Sequence, residues 1–143
     1  MKKTILAMIL MVGATTFSYA QCQKNFTLSG VKTEYLDGSG TVQRVVEEKS
    51  SVVAEKDQIT VTHGEGDGDP ATGTFKYESC TWKDAFKNGK SVLKATLTGQ
   101  NGQPTPVTLT IEGKDGKITL LVTLDDSPDR QIRVTIEKFE EKK

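Results

Sequence analysis

Residues 106–124 read PVTLTIEGKDGKITLLVTL. Every second residue is apolar in 107–111 and again in 118–124, and Lys-Asp-Gly-Lys separates the two runs. A period of two is typical of a strand with one buried face and one solvated face. Asp115 and Gly116 tolerate the positive φ angles that a tight hairpin turn requires. The stretch therefore predicts two antiparallel strands joined by a short turn.

The same alternation recurs on both sides of this stretch, as in Leu93, Ala95 and Leu97. The breaks between runs carry turn-forming pairs such as Asn88-Gly89 and Asn101-Gly102. No window after the first twenty residues sustains a helical period. We predict nine strands, near residues 24–35, 41–48, 51–56, 58–63, 72–80, 91–98, 106–112, 117–124 and 130–139.

Short connections between these strands predict an antiparallel meander. Because eight or nine strands in one sheet of this size are expected to curl, the fold class is all-β, closed as a small barrel or folded as a two-layer sandwich. Gly30 is predicted to mark a bulge, since the apolar phase shifts after Leu28. The segment 81–90 stays open between one turn of helix and an extra strand.

This alternation with short turns resembles the architecture of lipocalins and fatty-acid-binding proteins, the calycin-like barrels. The resemblance implies a closed barrel that holds a small apolar ligand. The Gly-x-Trp signature of lipocalins is absent from residues 21–36, so no residue role is carried over from that family.

The N-terminus has the pattern of a secretory signal peptide. Met-Lys-Lys precedes an uncharged run from Thr4 to Ala14, and Ser18-Tyr19-Ala20 provides small residues for cleavage. The run is too short to span a bilayer. We therefore expect residues 1–20 to be removed and 21–143 to form a single β domain, exported to the periplasm or the medium.

The chain has two cysteines, Cys22 and Cys80. Export to an oxidising compartment and an even count predict a disulfide between them. The alternative is a lipid-modified Cys22, which requires a small residue immediately before it, and Gln21 is not small.

Charge excludes one class of partner. Removal of Lys2 and Lys3 leaves a net charge of about −2, with no basic cluster outside the last two residues. This balance lacks the electrostatic footprint of a nucleic-acid-binding protein. No later stretch is long and apolar enough for a membrane span.

Two acidic connections suggest a cation site. In an up-and-down meander, the connections after the fourth and eighth strands share one end of the sheet. Their carboxylates would form an acidic rim that favours calcium or a basic partner. The alternative is a pair of solvated loops, because an EF-hand begun at Glu65 would place Pro70 and Lys76 at its sixth and twelfth positions. The candidate ligands are Glu65, Asp67, Asp69, Asp125, Asp126 and Asp129.

Tyr77, Trp82 and Phe86 form the one local concentration of aromatic residues. They could serve as a stacking platform for a flat ligand, or they could pack as a core cluster around the disulfide. We favour the core cluster, because aromatic side chains bury large apolar areas.

The sequence offers little for catalysis. His63 is the single histidine, and neither Gly-x-Ser-x-Gly nor His-Glu-x-x-His occurs. We therefore expect no enzyme activity and no cofactor. The predicted function is an exported module that binds a small apolar ligand. The alternatives are a surface protein-interaction or inhibitor-like module, acting through an exposed strand edge or the acidic rim, and a carboxylate-based hydrolase.

Overall fold

The computed structural model describes residues 25–64, 69–84 and 86–141, and all regular structure in these ranges is β-strand. The nine predicted strands are present with small shifts at their ends. They are β1 (Phe26–Leu36), β2 (Val42–Val46), β3 (Ser50–Glu55), β4 (Gln58–His63), β5 (Ala71–Asp84), β6 (Asn88–Thr98), β7 (Pro104–Lys114), β8 (Lys117–Leu124) and β9 (Ser127–Glu141).

The strands form a closed barrel. Pairing is antiparallel throughout, β3 to β9 follow one another in chain order, and β1 pairs with both β3 and β9. The eight strands other than β2 therefore close into a ring, which confirms the barrel among the two predicted architectures. No helix that could cross a membrane occurs in the part of the chain that the structure describes.

Strand β2 lies outside this ring. It pairs with the C-terminal part of β1, through Thr33 to Leu36, whereas β3 pairs with the N-terminal part, Phe26 to Gly30. Strands β2 and β3 therefore follow each other along one edge of β1 and do not pair with each other, which corrects the simple meander at this point.

The bulge predicted at Gly30 is confirmed. Gly30 pairs with Ile136 and Lys32 pairs with Thr135, so Val31 is an extra residue in β1. A Cβ atom at position 30 would lie 2.4 Å from both Ser50 Oγ and Val134 Cγ1, so only glycine fits this close approach without rearrangement.

The segment 81–90 is neither a helix nor an extra strand. Strand β5 continues to Asp84 and β6 begins at Asn88, and the two pair with each other up to the turn. Phe86 has a φ of 60°, so the reversal occurs at this residue and not at Asn88-Gly89, where the sequence placed it. Because no strand is added between β5 and β6, the chain reverses direction as many times as the sequence predicts.

Alternating strand directions give the barrel two ends. We call the end with the β4–β5, β6–β7 and β8–β9 connections the upper end, and the end with the β3–β4, β5–β6 and β7–β8 connections the lower end. The β7–β8 turn is the predicted two-residue hairpin, since Asp115 and Gly116 have φ angles of 53° and 82°.

The interior of the barrel contains one apolar core. A cavity of about 10 Å³ lies within it, which is room for no more than one water molecule. The buried core residues are Phe26, Leu28, Val52, Ala54, Ile59, Val61, Leu93, Ala95, Val107, Leu109, Ile111, Ile118, Leu120, Val134 and Ile136.

Candidate functional site

The acidic connections lie at the same end of the barrel, as the meander predicted. Asp69 follows β4, and Asp125 and Asp126 form the turn between β8 and β9, all at the upper end. Asp129 lies early in β9, where a Cβ at Gly38 would come within 3.2 Å of its Cα. Glu65 and Asp67 lie outside the described residues.

The described carboxylates of this rim have separate partners. Asp125 accepts hydrogen bonds from Thr108 Oγ1 at 2.6 Å and from Lys94 Nζ at 3.4 Å, and Asp69 accepts one from the Gln100 amide. Residues 25–64, 69–84 and 86–141 contain no group of three or more His, Cys, Asp or Glu that could hold a metal ion. A calcium site that includes Glu65 and Asp67 stays a prediction.

The upper part of the barrel interior is apolar but not fully buried. Phe75, Ala95, Val107 and Leu124 form one row of register partners across β5, β6, β7 and β8. Ala95 and Val107 are buried, whereas Phe75 and Leu124 remain partly exposed although they point to the same side. These two side chains therefore keep some contact with solvent while they pack against the core. We call this region the mouth; its side chains are Phe75, Leu97, Val122, Leu124 and Ile132.

One side of the mouth carries an additional wall. It consists of β2 together with the upper parts of β1 and β9, and we call it the arm. On its inner face Tyr35 pairs with Ile132 of β9 and with Arg44 of β2. The Arg44 guanidinium lies 4.3 Å from the centre of the Tyr35 ring, a cation–π contact. The arm therefore places one cation beside an apolar surface.

Two further polar groups face inward near the mouth. The Thr33 side chain is fully buried, and its Oγ1 has no hydrogen-bond partner in the described part of the chain. His63 lies opposite Ser50 at the top of β4, and both residues line the 10 Å³ cavity. A buried hydroxyl without a partner indicates a place where water or a polar ligand atom would be stabilised.

The outer face of the arm is held by an ion pair. Arg133 Nε donates to Glu34 Oε2 at 2.6 Å, and Lys32 Nζ lies 3.7 Å from the other carboxylate oxygen. The hydrogen bond from Arg133 is the main reason that the pKa of Glu34 falls below its usual 4.5. This contact joins the first strand to the last.

The lower end carries a cluster of aromatic rings. Phe139 makes edge-to-face contacts with Phe26, Trp82 and Phe86, at centroid distances of 5.7, 5.9 and 4.6 Å. We call these four residues the aromatic plug. The Trp82 indole N–H donates to Ser91 Oγ at 2.7 Å, so the polar atom of the partly buried ring has a partner.

Tyr77 does not belong to the plug. It contacts Phe75 at 5.9 Å in the barrel interior, and its burial raises the pKa of the phenol to about 12. Of the three aromatic ligand candidates, the structure thus brings Trp82 and Phe86 together around Phe139 and places Tyr77 below the mouth.

Cys80 lies on β5, below the part of that strand that pairs with β4. Its Sγ is 3.4 Å from Ser91 Oγ. Cys22 lies outside the described residues, so the disulfide stays a prediction. The chain enters β1 at Asn25, whose Oδ1 accepts a hydrogen bond from the Lys56 N–H at the lower end.

A groove of about 320 Å³ lies on the outer wall of the barrel. Lys76 and Lys94 lie opposite each other on its floor, but Lys94 is already paired with Asp125 and Thr108. The groove therefore offers a shallow, polar surface, in contrast to the apolar mouth.

Sequence reasoning missed the residues of the mouth and the arm. Leu97, Leu124 and Ile132 had the same inward phase as core residues, and no sequence signal marks them as exposed. Tyr35 and Arg44 do not belong to one sequence motif, and they meet only because β2 pairs with β1. No protein-family model matches the chain, and no curated protein has significant sequence similarity to it.

Proposed function

We propose that the protein is a binding module that takes a small apolar ligand at the mouth of its barrel. The observation that carries this proposal is that Phe75, Leu97, Val122, Leu124 and Ile132 point inward and remain only partly buried. Apolar side chains that stay accessible to solvent favour an apolar ligand, because its binding removes that surface from water.

The depth of the site limits the size of the ligand. The side chains of the core beneath the mouth are buried, and the cavity found among them is about 10 Å³, so we expect a ligand to rest on the core and not enter it. The arm offers Arg44 at the edge, and Thr33 offers a hydroxyl without a partner. A small, mostly apolar molecule with one polar or anionic group suits this arrangement.

The test uses N-phenyl-1-naphthylamine, a neutral dye that fluoresces in apolar surroundings. We expect stoichiometric binding to the folded protein and loss of the signal on unfolding in urea. Leu97→Gln and Leu124→Gln should weaken binding about tenfold or more. The matched control is Leu121→Gln, which changes an outward-facing leucine of the same strand as Leu124 and should leave binding unchanged.

Dye that binds only during unfolding, or that binds all three variants equally, would contradict the proposal. Turnover of a substrate panel that depends on a single carboxylate would favour the hydrolase alternative instead.

We also propose that the protein acts after export. Support comes from the residue pattern of 1–20, which lies outside the described residues. The mass of the protein recovered from the periplasm or medium should correspond to a chain that begins at Gln21. Retention of residues 1–20 in the functional protein would refute this.

A further inference from the structure

Strand β2 has an unsatisfied edge. Of the nine described strands it alone pairs with a single neighbour, since the other eight each pair with two strands of the ring. Within residues 25–64, 69–84 and 86–141, the backbone N–H and C=O groups on its outer side have no strand partner. An edge of this kind accepts an added strand from another chain.

The arm also carries the most exposed large apolar side chains of the described ranges. They are Val31, Val42 and Val45, which are 37%, 39% and 51% exposed. Val42 and Val45 belong to β2, and Val31 is the bulged residue of the adjoining β1. Single exposed valines are ordinary, but their concentration beside an open strand edge indicates a surface that is covered in a complex.

The turn before β2 fixes this edge in place. The Asp37 carboxylate accepts hydrogen bonds from the Ser39 hydroxyl at 2.6 Å and from the backbone N–H groups of Ser39 and Thr41 at 2.9 Å. The hydrogen bond from Ser39 is the main reason that the pKa of Asp37 is lowered. The edge is therefore ordered before any partner arrives, which lowers the entropic cost of binding.

Two partners could pair with the open edge of β2, namely a second copy of this chain or a different protein. The charge of β2 distinguishes between them. Arg44 is the central residue of the five in β2 and its one charged side chain. Full-length antiparallel pairing of β2 with a second copy would place Arg44 opposite Arg44 of that copy. Like charges directly opposite in a sheet are destabilising, so self-pairing is disfavoured.

We propose that β2 accepts an antiparallel strand from an extended segment of another protein. That segment alternates polar with β-branched residues and carries an acidic side chain opposite Arg44. The acidic group would meet a guanidinium already positioned over Tyr35, and the β-branched residues would cover Val45. This interaction surface shares Arg44 with the ligand site proposed at the mouth, whereas the backbone ladder along β2 is separate from that site.

The experiment uses a labelled nine-residue peptide of alternating threonine and valine with glutamate at its centre. We expect saturable binding by fluorescence anisotropy, together with slowed amide hydrogen exchange within residues 42–46. A peptide with lysine at the centre should bind about tenfold more weakly. Arg44→Glu should reverse this preference, and because Arg44 is exposed the variant is expected to fold.

Two results would overturn the proposal. One is the absence of protection in 42–46 at millimolar glutamate peptide. The other is equal binding of a peptide N-methylated at alternate residues, which cannot form a strand ladder. Concentration-dependent dimerisation of the protein without peptide would favour the second copy and also refute the proposal.

Discussion

The two ends of the barrel are built from the same alternating pattern but differ in the side chains that meet there. At the lower end, the partly buried Phe139 contacts three other rings. At the upper end, Phe75 and Leu124 point inward from the same row as buried Ala95 and Val107, yet stay partly exposed. Alternation thus determines the direction of a side chain, while an aromatic cluster requires large residues that meet from distant strands.

Energetically, burial implies that the core at the centre of the barrel stabilises the fold most, while the partly exposed side chains of the mouth contribute less. Fully buried apolar groups give the largest loss on truncation, and partly exposed ones give less. The following four predictions test this division.

The largest effect is expected from the disulfide predicted between Cys22 and Cys80. On the chain-entropy model, opening a loop of this length lowers the free energy of unfolding by about 4 kcal/mol. Urea denaturation followed by Trp82 fluorescence, with and without reductant, measures the loss. Intact mass before and after reduction and alkylation provides the control. If both thiols were alkylated in the native exported protein without reductant, the predicted disulfide would not exist.

Two leucines of β6 compare the centre with the mouth directly. Leu93 is 0% exposed and Leu97 is partly exposed, and both point inward from one strand. Leu93→Ala is expected to cost about 3 kcal/mol and Leu97→Ala about 1 kcal/mol, because the mouth can admit water where the core leaves a cavity. Urea denaturation measures both values. Equal losses would mean that the mouth is packed like the core.

Tyr77 reports on the boundary between the two regions. Burial raises the pKa of its phenol from 10.0 to about 12, so the folded protein favours the neutral form. Its stabilising contribution is complete below pH 10 and is lost as the pH rises from 10 to 12. Tyr77→Phe should remove this part of the alkaline loss in a pH series of thermal melts. If ultraviolet titration showed that Tyr77 ionises near pH 10, its phenol would be in contact with water and not buried, which would contradict this prediction.

The smallest effect is expected on the outer face of the arm. The pKa of Glu34 is lowered, so its ion pair with Arg133 contributes above pH 4.5 and is lost as the pH falls below that value. Because Arg133 is 40% exposed, Glu34→Gln should cost about 0.5 kcal/mol at pH 7, and the cost should shrink as the pH falls below 4.5 and Glu34 becomes protonated. A double-mutant cycle with Arg133→Gln isolates the pair. A coupling that persists at acidic pH would contradict this assignment.

Most of the strands could be predicted from the sequence because burial on one face imposes a period of two. The bulge at Gly30 was also predictable, since an extra residue shifts that period. Closure was predicted only as one of two architectures, because the choice depends on pairing between β1 and β9, where Glu34 and Arg133 are 99 residues apart. The position of β2 outside the ring could not be predicted either, because Val42 and Val45 are residues typical of any strand.

The candidate site was predictable only in part. The shared end of the acidic connections followed from counting strand reversals. The mouth could not be predicted in this way, because Leu97 and Leu93 have the same residue type and phase. Their difference in exposure arises from their positions along the barrel axis. Phe139 was likewise missed as the centre of the plug, since its ring partners lie on β1, β5 and the β5–β6 turn.

Closure of the ring through β1 and β9 has a consequence for how the chain folds. Of the nine described strands, β9 comes last along the chain, and until its fifteen residues dock, β1 and β8 each lack a neighbour on one edge. Contacts of such long sequence separation form slowly. A nascent chain that lacks β9 would therefore expose two unpaired strand edges, and holding it unfolded until β9 is available would protect it from aggregation.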